Sequence, residues 1–431
     1  MKKRIATLLA LLTLGAAGTA QAAFTIGGEN GWSLSTDGIV DIFATYTMTS
    51  RAPKNASGLN LLDNASTTAY NQRFGIGVGL LPSVVAFNVK APTVNGVEST
   101  VRIGIYPSVQ NGGNANLLGT VSPAGGGLSS PVLTGSDRFS VGPNIDFREI
   151  FYTAKGAYGE LLAGRALNLY QGKNILTDMT LLTAGTVSFR ANTVTLGHIG
   201  YGYLYTGFGP QFRYTTPDFG GAKFALEVGE PYALSSNTSK TNSPRVEAEL
   251  SYAKKIGGVS VQGWLAGLYQ NTVRKDSTVA APVARGGKDN ESIGGAYGLG
   301  AGFSGVNLLV SGYGGKGLGM LSAQDGKTTG LSVDESNGKE RLFWGGLAQV
   351  TYQLTPSVML GANYGRSQLE QGDGDVGAGQ IKTQESGVAT VTYNLNKFTQ
   401  FVAEYIYAQN SWYNHEKQHS NQIALGSMFY W

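Results

Sequence analysis

The sequence predicts an all-β chain: a transmembrane antiparallel up-and-down β-barrel of 16 strands, with short turns at one end and long loops at the other. Three observations carry that expectation. Many segments of about ten residues alternate apolar with polar side chains, the period of a two-faced strand. Seven short connections alternate with eight long polar ones. Beyond the amino-terminal segment, no apolar run approaches the ~18 residues that a transmembrane helix needs.

The amino terminus is set apart. Residues 1–4 are basic, Ile5 to Ala17 form an apolar run, and Ala20-Gln21-Ala22 is a small-residue cleavage site. This is the layout of a secretory signal peptide. Residues 1–22 are expected to be removed, leaving 23–431 as one barrel domain. Losing Lys2, Lys3 and Arg4 lowers the formal net charge from +4 to about +1. A nearly neutral mature chain lacks the basic face of a nucleic-acid binder. Without cysteine there is no disulfide framework and no thiolate metal site. Nothing in the sequence calls for a cofactor. Charged residues are 14% of the chain, against about 25% in ordinary soluble domains. The mean hydropathy of -0.08 suits a barrel, whose apolar side chains occupy only half of each strand.

Strands are expected near 37–49, 69–91, 97–107, 144–155, 159–168, 199–215, 222–230, 244–255, 259–271, 291–303, 306–314, 341–354, 358–370, 385–395, 398–410 and 419–431. In the second, the apolar face is Phe74, Ile76, Val78 and Leu80, then Val85, Phe87 and Val89. The phase slips by one near Leu81–Pro82, as a β-bulge produces. The third sets Val101, Ile103 and Ile105 against Thr100, Arg102 and Tyr106. The seventh sets Phe224, Leu226 and Val228 against Lys223 and Glu227; the eighth sets Val246, Ala248 and Leu250 against Arg245, Glu247 and Glu249. The twelfth carries Leu342, Trp344, Val350, Tyr352 and Leu354 opposite Arg341, Gln349 and Thr351. The last four strands repeat the pattern, with Phe401, Tyr405 and Tyr407 facing away from Glu404. Short turns fall at 93–96, 156–159, 216–221, 256–258, 304–305, 355–356 and 394–397. Longer polar stretches fall at 50–67, 108–143, 169–198, 231–243, 272–290, 315–340, 371–384 and 411–418.

A soluble sandwich also alternates, but its strands average about 5–6 residues. Many of these run to 10–14, the length of a tilted membrane strand. Aromatic residues sit near strand ends, where interfacial girdles form. Charges avoid the apolar string: Glu98, Arg102, Arg213, Lys223, Glu227, Arg245, Glu247, Glu249, Arg341 and Glu404 all lie opposite it. A cation on the lipid side at mid-depth would cost about 2–4 kcal/mol. Lipid outside and water inside is the expected orientation, since sixteen strands enclose a lumen too wide for side chains alone to fill.

Three stretches resemble the general porin family of Gram-negative outer membranes: "FREIFYTAKGAYGELLAGR" (147–165), "FRYTTPDFGGAKF" (212–224) and the terminal "NQIALGSMFYW" (421–431). The chain departs from that pattern at Trp431, where the family usually ends on Phe, and at Ser427, which interrupts the last apolar face. The resemblance implies a homotrimer in the outer membrane, passing ions and small hydrophilic solutes. It also implies that the third loop, 169–198, folds into the pore. The residues agree, because Ile175, Leu176, Met179, Leu181 and Leu182 need a surface to pack on; a subunit interface or an extracellular plug is the alternative. In the family, loop carboxylates face wall arginines across the constriction. The matching wall positions here are Arg73, Arg102, Arg165 and Arg213, each of which could instead be a rim charge. The loop offers only Asp178 as an acid, beside Lys173 and Arg190. That balance implies a weak anion preference.

No catalytic constellation emerges: the histidines are His198, His415 and His419, without a Ser–His–acid spacing. "GYGGKG" (312–317) enters a polar loop with no helix, unlike a dinucleotide fingerprint. Asp373 and Asp375 lack EF-hand spacing, so calcium binding by external loops stays open. Two functional classes remain, a passive diffusion channel and a secreted or surface β-rich binding protein. A solute-specific channel is a narrower form of the first. Tyr201, Tyr203 and Tyr205 could line its track, although contact with lipid or a neighbouring subunit is the plainer expectation.

Overall fold

A computed structural model describes residues 24–56, 61–107, 109, 145–186, 195–234, 238–240, 243–274, 289–322, 331–334, 337–373 and 379–431. The expected signal peptide and Arg190 lie outside these residues. Sixteen antiparallel strands form the wall. They are β1 Ser33–Thr49, β2 in two pieces (Asn71–Gly77 and Val84–Lys90), β3 Glu98–Pro107, β4 Ile145–Gly156, β5 Gly159–Leu167, β6 Phe208–Thr215, β7 Ala222–Gly229 and β8 Arg245–Ile256. They continue as β9 Val259–Arg274, β10 Asn290–Phe303, β11 Val306–Lys316, β12 Leu342–Thr355, β13 Val358–Leu369, β14 Ile381–Asn394, β15 Thr399–Trp412 and β16 Lys417–Tyr430. Each pairs with the next, and β16 pairs with β1 from Tyr430↔Ile39 to Ser420↔Thr49. Closure leaves the wall without a free edge, so its backbone is satisfied in hydrocarbon.

The two faces are inverted relative to a soluble protein. On β12, Leu342, Trp344, Val350, Tyr352 and Leu354 are 40–52% exposed, whereas Phe343, Leu347 and Thr351 are 2–4% exposed. The apolar side is the outside, which answers the sandwich alternative. The expected slip in β2 is real. Both pieces pair with β1, and the gap between Gly77 and Val84 turns inward. There, Leu80 N–H donates to Thr183 O at 3.0 Å and Leu81 N–H to Leu181 O at 3.2 Å. The terminal Trp431 closes against β1 through paired backbone bonds with Gly38. A Cβ on Gly38 would lie 2.3 Å from the indole, so this glycine makes room for the larger terminal ring.

Three expectations need correction. The sixth strand begins at Phe208 rather than 199. Gly200, Gly202 and Gly207 have φ of 82°, 135° and 74°, and they break the alternation. Residues 199–207 therefore belong to the internal loop, and Tyr201 and Tyr203 are fully buried rather than turned to lipid. Next, the chain starts its barrel at Ser33, preceded by a short hairpin strand Phe24–Gly27 paired with β1. Finally, three loops rather than one turn inward. Leu61 of the first loop, Tyr170 and Leu204 of the third, and Leu318, Leu321 and Leu331 between β11 and β12 share one core. They pack with Leu268, Tyr313, Phe343, Leu369 and Trp412 of the wall.

Candidate functional site

The site is the described part of the third loop, Asn168 to Thr186 and Thr195 to Gly207, and the wall it touches. Its neck is held by β7 and β8. Glu227 accepts from Leu169 N–H at 3.1 Å, and Glu247 accepts from Tyr170 N–H at 2.7 Å. Arg245 lies between these carboxylates, 3.3 Å from Glu227 and 2.8 Å from Glu247, and is wholly buried. Its guanidinium stacks on Tyr232 at 4.5 Å. A Cβ at Gly229 or Gly209 would approach Arg245 Nη2 to 3.0 or 3.3 Å, so small residues on β6 and β7 admit the group.

Past the neck, Gln171 takes a left-handed conformation (φ 66°) and starts a single-turn helix, Gly172–Thr177. Asp178 then caps the 3-10 turn Met179–Leu182 by accepting from Thr180 N–H at 2.9 Å. Gln349 of β12 accepts from Met179 N–H at 2.6 Å and donates to Thr177 O at 3.2 Å. The tip rests on β15 and β16. Glu404 accepts from Thr183 Oγ1 (2.5 Å), Ala184 N–H (3.1 Å) and Gly185 N–H (2.9 Å), and Gln422 Nε2 donates to Gly185 O at 3.0 Å. The loop thus crosses the barrel from β7–β8 to β15–β16. Its apolar residues find the surface that the sequence demanded. Ile175 and Leu181 pack with Leu80, Leu196 and Tyr203, while Met179 and Leu182 lie on Phe43, Val388, Val402 and Met428.

The expected wall residues now have places. Arg73 faces inward and pairs with Asp63 at 3.0 Å. Arg102 faces inward, 2.9 Å from both Asp37 and Glu149. Arg213 is in register with Glu227 on the inner face and donates to Leu167 O at 3.3 Å. Arg165 does not join them. It stands opposite Ile150 and Pro210 on the exposed outer face. The left-handed Gly164 (φ 133°) lies beside it in a strand whose alternation is poor. Asp178 is buried within the loop's own fold, accepting from Tyr203 Oη (2.7 Å) and Asn363 Nδ2 (3.1 Å), and does not face open solvent.

Of the remaining wall residues, Glu98 pairs with Lys90 at 2.6 Å and Lys223 is exposed on the inner face. Glu249 is buried 3.9 Å from Lys173, Arg341 is buried 3.8 Å from Asp334, and Glu404 is buried under the loop tip. The pattern has a consequence for charge. Asp41, Asp63, Glu149, Asp178, Glu227, Glu247, Glu249 and Glu404 are all buried, whereas Arg73, Lys90, Arg102, Arg148, Lys173, Arg213 and Lys223 keep contact with solvent. Among the described residues, the solvent-touching carboxylates of this region are Asp37, Glu98, Asp146 and Glu160. Burial lowers the Lys173 ammonium from its usual range, with Glu249 opposing the shift.

Sequence reasoning missed Arg148, which pairs with Asp146 at 2.6 Å and stacks over Tyr106 and Phe208. A signal existed. Phe147 and Ile150 share an outer face at odd spacing, and the register shifts there by one residue. Lys173 was readable as a loop cation beside Asp178, but its partner Glu249, 3.9 Å away on β8, is brought to it only by the fold.

No family model and no curated relative matches the chain. Solved structures do. The outer membrane channel DcaP of Acinetobacter baumannii superposes with a TM-score of 0.64 at 13% identity, covering 95% of this chain and 100% of that one. The anion-selective porin from Comamonas acidovorans gives 0.57 at 13% identity, over 93% and 100%. Salmonella typhi OmpF, in complex with daunomycin, gives 0.54 at 13% identity, over 95% and 100%. The chain therefore has the porin fold.

Proposed function

We propose that the protein is an outer-membrane diffusion channel for ions and small hydrophilic solutes, narrowed by the loop from 169 to 207. The observation that carries this reading is the inverted barrel, apolar outside and lined with charge inside, together with a loop bonded to opposite walls. Its accessible inner surface is richer in cations than in carboxylates, which supports a weak anion preference. The comparison with an anion-selective porin is consistent with that sign. No reaction is assigned, because the charged side chains serve as loop anchors and ion pairs.

A homotrimer is also proposed. Strands β6 and β7 have eight residues each, short of the ~9–11 that a lipid-facing strand needs, and β5 with nine sits at the lower bound. With Arg165 outward, this sector is the one best served by a neighbouring copy. One observation favours the narrower, solute-specific form of channel: the apolar core of three inserted loops restricts the water path to the rest of the lumen.

Liposome swelling tests the proposal. Vesicles holding the purified protein should swell in isotonic small sugars, at rates that fall steeply with solute size. Vesicles that stay as tight as protein-free ones would defeat it. A flux that saturates with one solute would mark the specific form.

A further inference from the structure

His198 lies on the returning arm of the third loop and is fully buried. Its Nε2 is 2.8 Å from Asn363 Oδ1, and its Nδ1 is 3.1 Å from Tyr201 O. The Asn363 amide has its orientation set from the other side. Its Nδ2 lies 3.1 Å from Asp178 Oδ1, and a carboxylate only accepts. Asp178 already takes bonds from Thr180 N–H, Thr180 Oγ1 and Tyr203 Oη, the pattern of an ionised group. Asn363 must then donate to Asp178 and turn its carbonyl to His198. Both ring nitrogens of His198 face oxygens that can only accept. A neutral imidazole has one N–H and satisfies one of them; an imidazolium satisfies both.

We infer that His198 is held as an imidazolium and is the counter-charge of Asp178, relayed through Asn363, so that it is the positioning residue for the loop across the passage. The titratable groups around this knot are Asp178, Tyr201 and Tyr203 from the loop and Glu404 from β15. The elements β12 and β13 bring Gln349, Leu347, Asn363 and Gly365, none of which titrates. Gly365 is part of the fit: a Cβ there would lie 1.9 Å from Tyr201 O and 2.9 Å from His198 Nδ1. The meaning for transport rests on the channel reading above; the charge state does not.

The test is nitrogen NMR of the whole protein labelled with 15N-histidine, in detergent micelles at pH 7. His198→Gln assigns the resonances, separating His198 from the loop residues His415 and His419. Both His198 nitrogens should read as protonated, and Asn363→Leu should remove one of the two protons. A bare nitrogen on His198 in the unmodified protein overturns the inference, and so does a doubly protonated ring in Asn363→Leu. Failure of the channel reading would show separately, as vesicles that pass no solute while the NMR result stands.

Discussion

The Thr183 hydroxyl donates to Glu404 at 2.5 Å, joining residues 221 positions apart across the barrel interior. Glu404 also holds two adjacent backbone N–H groups, so one side chain satisfies the tip of the loop. Glu404→Ala leaves three buried donors without a partner, each worth about 1–3 kcal/mol. The variant should insert as a barrel but show larger open-channel current noise than the unmodified protein. Bilayer recordings of the two at the same voltage check this.

Among the described residues, Lys173 is the one lysine or arginine on the inserted loop, and it keeps contact with solvent. Lys173→Glu places two carboxylates side by side with Glu249. The anion-to-cation permeability ratio should fall several-fold, read as a shifted reversal potential in a salt gradient. An unchanged potential would remove Lys173 from the passage.

Arg165 and Arg213 make a matched pair of opposite placement. Arg213→Ala should alter conductance, because its side chain is inside. Arg165→Leu should leave conductance unchanged. On the outer face near the loop end of β5, it should act only on stability or assembly. Single-channel conductance and gel-resolved unfolding of both variants give the comparison.

Asp63, in the first loop, is buried beside Arg73, and burial pushes its carboxyl up to about 6 despite that arginine. The folded state therefore prefers the protonated form. The stability this contributes is complete below the unfolded value near 4 and is lost as pH rises through 6. The loss is up to about 3 kcal/mol. Thermal unfolding followed from pH 4 to pH 8 should show that decline, and Asp63→Asn should flatten it.

Much of the wall was legible because each strand states its two faces in period two. The slip at Leu81–Pro82 and the opposed charges of β7 and β8 were readable on that basis. Residues 199–207 were not. Tyr201, Tyr203 and Tyr205 alternate like a strand, and only the backbone of Gly200, Gly202 and Gly207 shows that the chain turns instead. The inward folding of the first loop and of residues 318–322 and 331–334 escaped for a different reason. Leu61, Leu318, Leu321 and Leu331 are scattered among polar residues, and their core forms only when distant loops meet. Asp178 was readable as the lone loop acid, but its partners Asn363 and Tyr203 are brought to it by the tertiary fold.

In the proposed function, water and ions cross inside this barrel past the inserted loop. Current across a planar bilayer containing the purified protein tests it most directly. A water path past the inserted loop gives stepwise conductance increments with a reversal potential of mildly anion-selective sign. A membrane that stays silent after verified insertion, or a clear cation preference, would contradict it.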